Sequence, residues 1–139
     1  MFDKILLAND GSEGAGRALS AAISLAKLHG AALHMISVEE LPQFPASVDE
    51  VVEDELDANH RYEPVIVQAR AQAQAQGVKL STHVVPGHAV ATIVDFVERE
   101  GFDLLVVGYM GHSALYNRLI GGTTDRLVEH APCNVLVIK

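Results

Sequence analysis

Cysteine and tryptophan are nearly or wholly missing: Cys133 is the only thiol and there is no tryptophan. One thiol excludes an internal disulfide and leaves too few sulfur ligands for the usual zinc sites built from paired cysteines and histidines. Cys133 therefore reads as a small apolar residue opening a strand. Long apolar runs are missing too, since none approaches the roughly 20 residues that a membrane-spanning helix needs. The opening MFDKILLAND has no signal-type apolar stretch behind a basic region, so the expected location is cytoplasmic, with no membrane partner. Basic residues are scarce: ten Lys and Arg stand against 18 Asp and Glu, a formal charge of -8. Nine of those acids (Glu39, Glu40, Asp49, Glu50, Glu53, Asp54, Glu55, Asp57 and Glu63) lie between positions 39 and 63, where Arg61 is the one base. That segment holds the whole excess, and the remainder balances at nine acids and nine bases. A basic footprint for nucleic acid is thereby disfavoured, and the acidic segment reads as solvated surface.

What is present is a repeating alternation. Ile5-Leu6-Leu7-Ala8 is a short apolar run, after which Ala15, Leu19, Ala22, Ile23 and Ala26 recur at helical spacing up to Gly30. The same strand-then-helix grammar returns with Leu33 to Val38, then Leu80 to Val85, then Val90, Ile93, Val94 and Val97 on a helix ending at Gly101. Leu104 to Val107 and Val135 to Ile138 add two strands, with Leu127, Val128 and Ala131 on a helix between them. Three helices end in LHG, AQG and REG, where glycine suits the left-handed cap that precedes the next strand. Alternation of this kind predicts one α/β domain over 1–139, a parallel sheet with right-handed crossovers and helices on both faces. The first and fourth strands are apolar on both faces and so central, whereas LHMISV and LSTHVV carry polar residues and are more peripheral. An order of 3-2-1-4-5 follows. The fifth strand, Val135-Leu136-Val137-Ile138, is then an edge with neither charge nor proline to blunt it, and a second copy of the chain is expected to cover it. Between Leu41 and His60 the reading is a loop and a short acidic helix, with a longer helix from about Pro64 to Gln76.

In an open sheet of that order the chain reverses between strands 1 and 4, and ligands bind beyond the carboxyl ends of those strands. Asn9-Asp10-Gly11-Ser12 and Gly108-Tyr109-Met110-Gly111 are there. Gly121-Gly122-Thr123-Thr124 leads into a helix whose N-terminus attracts phosphate, and glycines let backbone N–H groups approach an anion. Arg118 and Arg126 add charge or are ordinary surface residues. GxxxxGK[ST] does not occur, and GSEGAG does not follow GxGxxG. Asp10 either serves a ligand or stabilises the turn before the first helix, and Ser12 reads as a helix N-cap rather than a nucleophile. The seven histidines show no metal-ligand spacing. Tyr109, Met110, Leu115 and Tyr116 line the pocket or bury the loop.

Asp10, the glycines at 108, 111 and 121, and the closing HAPCNVLVIK resemble the universal stress protein family over essentially the whole chain. The resemblance implies a five-stranded parallel sheet, dimerisation through the last strand, and either an ATP-binding or a non-binding branch. For the binding branch it implies that Asp10 and the backbone near Val38 hold adenine and that Gly87 lies near the nucleoside. Gly108, Gly111 and Gly121 would admit the phosphates of ATP, ADP or AMP, with or without Mg²⁺. Gly122, Thr123 and Thr124 would attend them, and His112 would face phosphate or solvent. Two departures stand out. Gly122 occupies a position where the family pattern has Ser or Thr, which removes a hydrogen bond to a charged phosphate worth about 1.5 to 3 kcal/mol. Ala89 stands where proline is frequent. Three functional classes follow: a nucleotide-binding regulator, a non-binding dimer acting through protein contacts, and a slow ATPase. The last would need a residue to position water, for which the loop offers no candidate.

Overall fold

Nine elements follow one another in the computed structural model, which describes residues 1–40, 48–109 and 122–139, with backbone alone for 48–59. They are β1 (Lys4–Ala8), α1 (Glu13–His29), β2 (Ala32–Glu40), α2 (Val48–Ala75), β3 (Leu80–Gly87), α3 (Ala89–Glu100), β4 (Leu104–Gly108), α4 (Thr123–His130) and β5 (Asn134–Ile138). All strand pairs are parallel and the order is β3-β2-β1-β4-β5, as the strand polarity predicts.

Burial explains the order. Alternate residues of the central strands feed two separate cores. Ile5, Leu7, Met35, Leu104 and Val106 pack beneath α1 and α2, while Leu6, Ile36, Leu105 and Val107 pack beneath α3 and α4. Strands buried on both faces have no polar side to show, which is why β1 and β4 read as continuous apolar runs. Helix α1 turns Ala15, Ala18, Ala22 and Ala26 toward the sheet, and those small side chains let it lie close. It starts at Ser12, whose hydroxyl accepts the Ala15 N–H at 3.2 Å, and ends at Gly30 with φ 63°.

Two boundaries differ from expectation. Helix α2 runs unbroken from Val48 to Ala75 with Pro64 inside it, where the sequence predicts a break. Proline removes one intrahelical donor and costs about 3 kcal/mol, but packing holds the helix on both sides. Tyr62 is buried before Pro64, and Ala69 and Ala73 are buried after it. The loop expected at Pro42 and Pro45 lies outside the described residues. Helix α4 stops at His130, with Ala131 as its cap, and Val128 faces outward at 52% exposure, leaving Leu127 as its one fully inward apolar residue.

Candidate functional site

The carboxyl ends of all five parallel strands share one edge of the sheet, and the connection direction reverses there between β1 and β4. After β1 the chain makes a tight relay of side-chain-to-backbone bonds. Buried Asn9 accepts the Gly11 N–H through Oδ1 at 2.9 Å, and Asp10 accepts the Ser12 N–H through Oδ1 at the same distance. The Ser37 hydroxyl donates to the Asn9 carbonyl at 2.7 Å, tying this turn to β2. Gly11 has φ 82°, a conformation open mainly to glycine. Asp10 thus carries the turn-stabilising role that its position allows, and that bond aims its carboxylate at the mouth of α1.

Gly108 closes β4, and its lack of a side chain serves a contact that sequence reasoning did not anticipate. A Cβ there would stand 2.7 Å from the Gly14 carbonyl carbon, 2.8 Å from its oxygen and 3.0 Å from the Ala15 nitrogen. The space that the resemblance assigns to phosphate is, at this residue, filled by the first turn of α1. From the other side, the Thr124 hydroxyl donates to the Gly108 carbonyl at 2.7 Å. The end of β4 and the first turns of α1 and α4 therefore meet at one glycine. Gly122 is the N-cap residue of α4, in an extended conformation (φ −81°, ψ −160°) and with no side-chain cap bond. Helix geometry leaves the next N–H groups without intrahelical partners. Asp125 lies in the same turn and Thr123 is exposed.

Toward β3 the edge is acidic. The Val38 carbonyl, at the half-buried residue expected near adenine, accepts the Tyr62 hydroxyl at 3.2 Å. Burial raises the Tyr62 phenol, and the carboxylates of Asp10, Glu39 and Glu40 add to the rise against the opposing pull of Arg61. Glu39 is only 4% exposed, 3.9 Å from Arg61, so the reading of 39–63 as solvated surface fails at its first residue. Glu40 caps α3: its Oε1 accepts the Ala89 N–H at 3.0 Å and its Oε2 lies 3.4 Å from His88 Nδ1. Gly87 pairs with Glu40 across the sheet, has φ 147°, and packs so tightly that any Cβ would collide with the Thr92 hydroxyl. Sequence reasoning missed Tyr62, Glu39 and Glu40, because only the return of α2 over the end of β2, and of α3 beside it, gives these side chains partners.

The structure thus brings Asp10, Gly108, Gly122 and Thr124 to the reversal point, with Val38 and Gly87 further along the same edge. Gly111, His112 and Gly121 lie outside the described residues, as do Met110, Leu115, Tyr116 and Arg118. Among the described residues no three metal-ligating side chains cluster, and no helix is long and apolar enough to cross a membrane.

The family model described as "Universal stress protein family" matches residues 1–139. The chain belongs to the universal stress protein family. Universal stress protein MJ0531 of Methanocaldococcus jannaschii is 31% identical over 142 aligned positions, covering 100% of this chain and 83% of that protein. Universal stress protein UspA from Lactobacillus plantarum superposes with a TM-score of 0.89 at 29% identity, over 99% of this chain and 98% of that one. Two more distant universal stress proteins share the fold. One, 23% identical with a TM-score of 0.77, is in complex with cAMP and covers 99% of this chain. The other, from Archaeoglobus fulgidus, is 18% identical with a TM-score of 0.68 and is in complex with dAMP.

Proposed function

We propose that this universal stress protein binds an adenine nucleotide, ATP first among them, at the carboxyl ends of β1 and β4, and acts as a regulator in a stress response. The observation that carries the reading is the junction at Gly108, where the Thr124 hydroxyl fixes the first turn of α4, whose N-cap Gly122 has no side chain to cap it, beside the turn that holds Asp10. An N-terminal turn presented at a sheet's reversal point suits a phosphate group, because free N–H donors and the helix dipole both favour negative charge there. The cAMP and dAMP complexes of two proteins with this fold support the choice of an adenine nucleotide.

In this reading Asp10 and the Val38 backbone take the base, and Gly87 lies by the nucleoside. Gly111, His112, Gly121, Gly122 and Thr123 attend the phosphates, with Thr124 as their anchor to β4. Mg²⁺ enters with the triphosphate. The chain works in the cytoplasm as a homodimer, with β5 of one copy against β5 of the next through Val135 to Ile138, and regulates by changing its shape or its protein partners.

Two observations favour the second reading, a non-binding dimer that acts through protein contacts. Gly122 supplies no hydroxyl, and packing against α1 accounts for Gly108 without any phosphate. Equilibrium dialysis of labelled ATP against the wild type and Gly122→Ser separates the two. The extended backbone of Gly122 accepts serine without strain, so the binding reading expects affinity to rise by about tenfold or more, the worth of one hydrogen bond to a charged group. No retention of ATP by either protein at millimolar concentration selects the second reading.

A further inference from the structure

Two histidines that no spacing in the sequence connects meet on the face covered by α3. Nδ1 of His34, on β2, lies 3.0 Å from Nε2 of His83, on β3. The rings are nearly parallel, with 6° between planes and 5.3 Å between centroids. They are two positions out of register, His34 opposite Ser81 and His83 opposite Ile36. Phe102 meets the His34 ring edge-on at 5.2 Å, and Phe96 of α3 meets His83 at 4.9 Å. Both imidazoles are half-buried in this aromatic corner.

A nitrogen-to-nitrogen contact of 3.0 Å requires one ring to donate an N–H and the other to offer a lone pair. The neutral pair meets that condition. A first added proton goes to the outward nitrogen of the donating ring, and the contact survives as a charge-assisted bond. A second proton has only the facing lone pair to occupy. Two N–H groups then point at each other, between two positive rings in a partly desolvated corner. Lys4 of β1 adds a third positive charge, with its Nζ 4.7 Å from the Phe102 ring centroid and bonded to the Glu100 carbonyl at 2.6 Å. The Glu100 carboxylate of α3 pulls the other way, and among the described residues these are the charged groups that act on the pair.

We propose that His34 and His83 form an acid-sensitive clasp, which holds the edge strand β3 to β2 and α3 while the pair carries at most one added proton and lets go when the second binds. Burial, then His83 and Lys4, lower His34 below its ordinary value, and burial lowers His83 against the opposing Glu100. The sign follows from those directions. The unfolded rings take up protons near pH 6.5 and the folded pair only below it. The clasp's contribution is therefore full above about pH 6.5 and is lost as the pH falls toward the folded values. Each proton taken up on unfolding multiplies the unfolding constant by about ten per pH unit, and two protons by about a hundred.

The test uses the intact chain. Imidazole NMR of the wild type should show His34 and His83 titrating as a coupled pair in two steps, both below pH 6.5, the second well separated from the first. Independent titration of the two rings, or titration at 6.5 or above, overturns the clasp. Urea unfolding of the wild type and of the His34→Leu/His83→Leu double variant at pH 7.5, 6.5 and 5.5 provides the second measurement. The wild-type unfolding constant should rise by about tenfold or more from pH 6.5 to 5.5, with most of that rise absent in the variant. An equal rise in both proteins assigns the pH dependence elsewhere and overturns the proposal. Should the variant not fold, the wild-type titration decides alone.

Discussion

Replacing Gly108 with alanine adds one methyl group, and the structure fixes where it goes. The new carbon would meet the Gly14 carbonyl carbon at 2.7 Å, its oxygen at 2.8 Å and the Ala15 nitrogen at 3.0 Å. All three are backbone atoms, so no side chain can rotate away. Relief requires α1 and β4 to separate by about 0.8 to 1.3 Å, since carbon contacts are comfortable near 3.5 to 4.0 Å and this one starts at 2.7 Å. Helix α1 has little freedom to move, because Ala15, Ala18 and Ala22 are at most 3% exposed against the sheet. Overpacking of this kind costs about 1 to 3 kcal/mol, which lowers Tm by about 3 to 12 °C in a chain of this size. Gly16→Ala is the matched control: the same methyl, placed on α1 itself, meets nothing within 4 Å. There the change removes backbone freedom from the unfolded chain and stabilises by about 0.5 to 1 kcal/mol. Scanning calorimetry of the three nucleotide-free proteins reads both effects. A Gly108→Ala protein as stable as the wild type would refute the packing argument and return this glycine to a purely ligand-facing role.

Other consequences are as specific. Thr124→Val removes the hydroxyl that binds the Gly108 carbonyl and should cost about 0.5 to 1.5 kcal/mol in urea unfolding, whereas Thr124→Ser should retain most of it. Asp103 accepts the Asp3 and Lys4 N–H groups at 2.8 and 3.1 Å. Burial would raise its carboxyl, but these backbone bonds hold it below the ordinary value. Its contribution is then present above about pH 4 and lost as the pH falls through the folded value, so Asp103→Asn should flatten the fall in stability below about pH 4. Val137→Glu places a charge on the outermost strand and should yield monomers by light scattering; an unchanged mass would remove β5 as the dimer contact.

Local pattern carries the fold well and the site only partly, for a physical reason. The strand order was legible because β1 and β4 are buried on both faces, and a residue's own polarity reports that. Helix ends were legible at Gly30, Gly77 and Gly101, all of which have positive φ. Pro64 misled because its penalty is local, while the packing of Tyr62, Ala69 and Ala73 that outweighs it is tertiary. Glu39, Glu40 and the His34–His83 pair were opaque for the same cause: each owes its environment to a segment about 20 to 50 residues away. At the candidate site, Asp10 and Gly108 were picked out by position alone. The packing of Gly108 against Gly14 and its bond from Thr124 became visible only when three chain segments met.

The central claim is that an adenine nucleotide binds at the β1–β4 reversal, and isothermal titration of nucleotide-stripped protein with ATP, with and without Mg²⁺, tests it most directly. The account predicts saturable binding, one nucleotide per chain, that disappears in a Gly111→Val variant whose fold and mass are unchanged. Absence of binding at millimolar ATP, or binding undiminished by Gly111→Val, would contradict it.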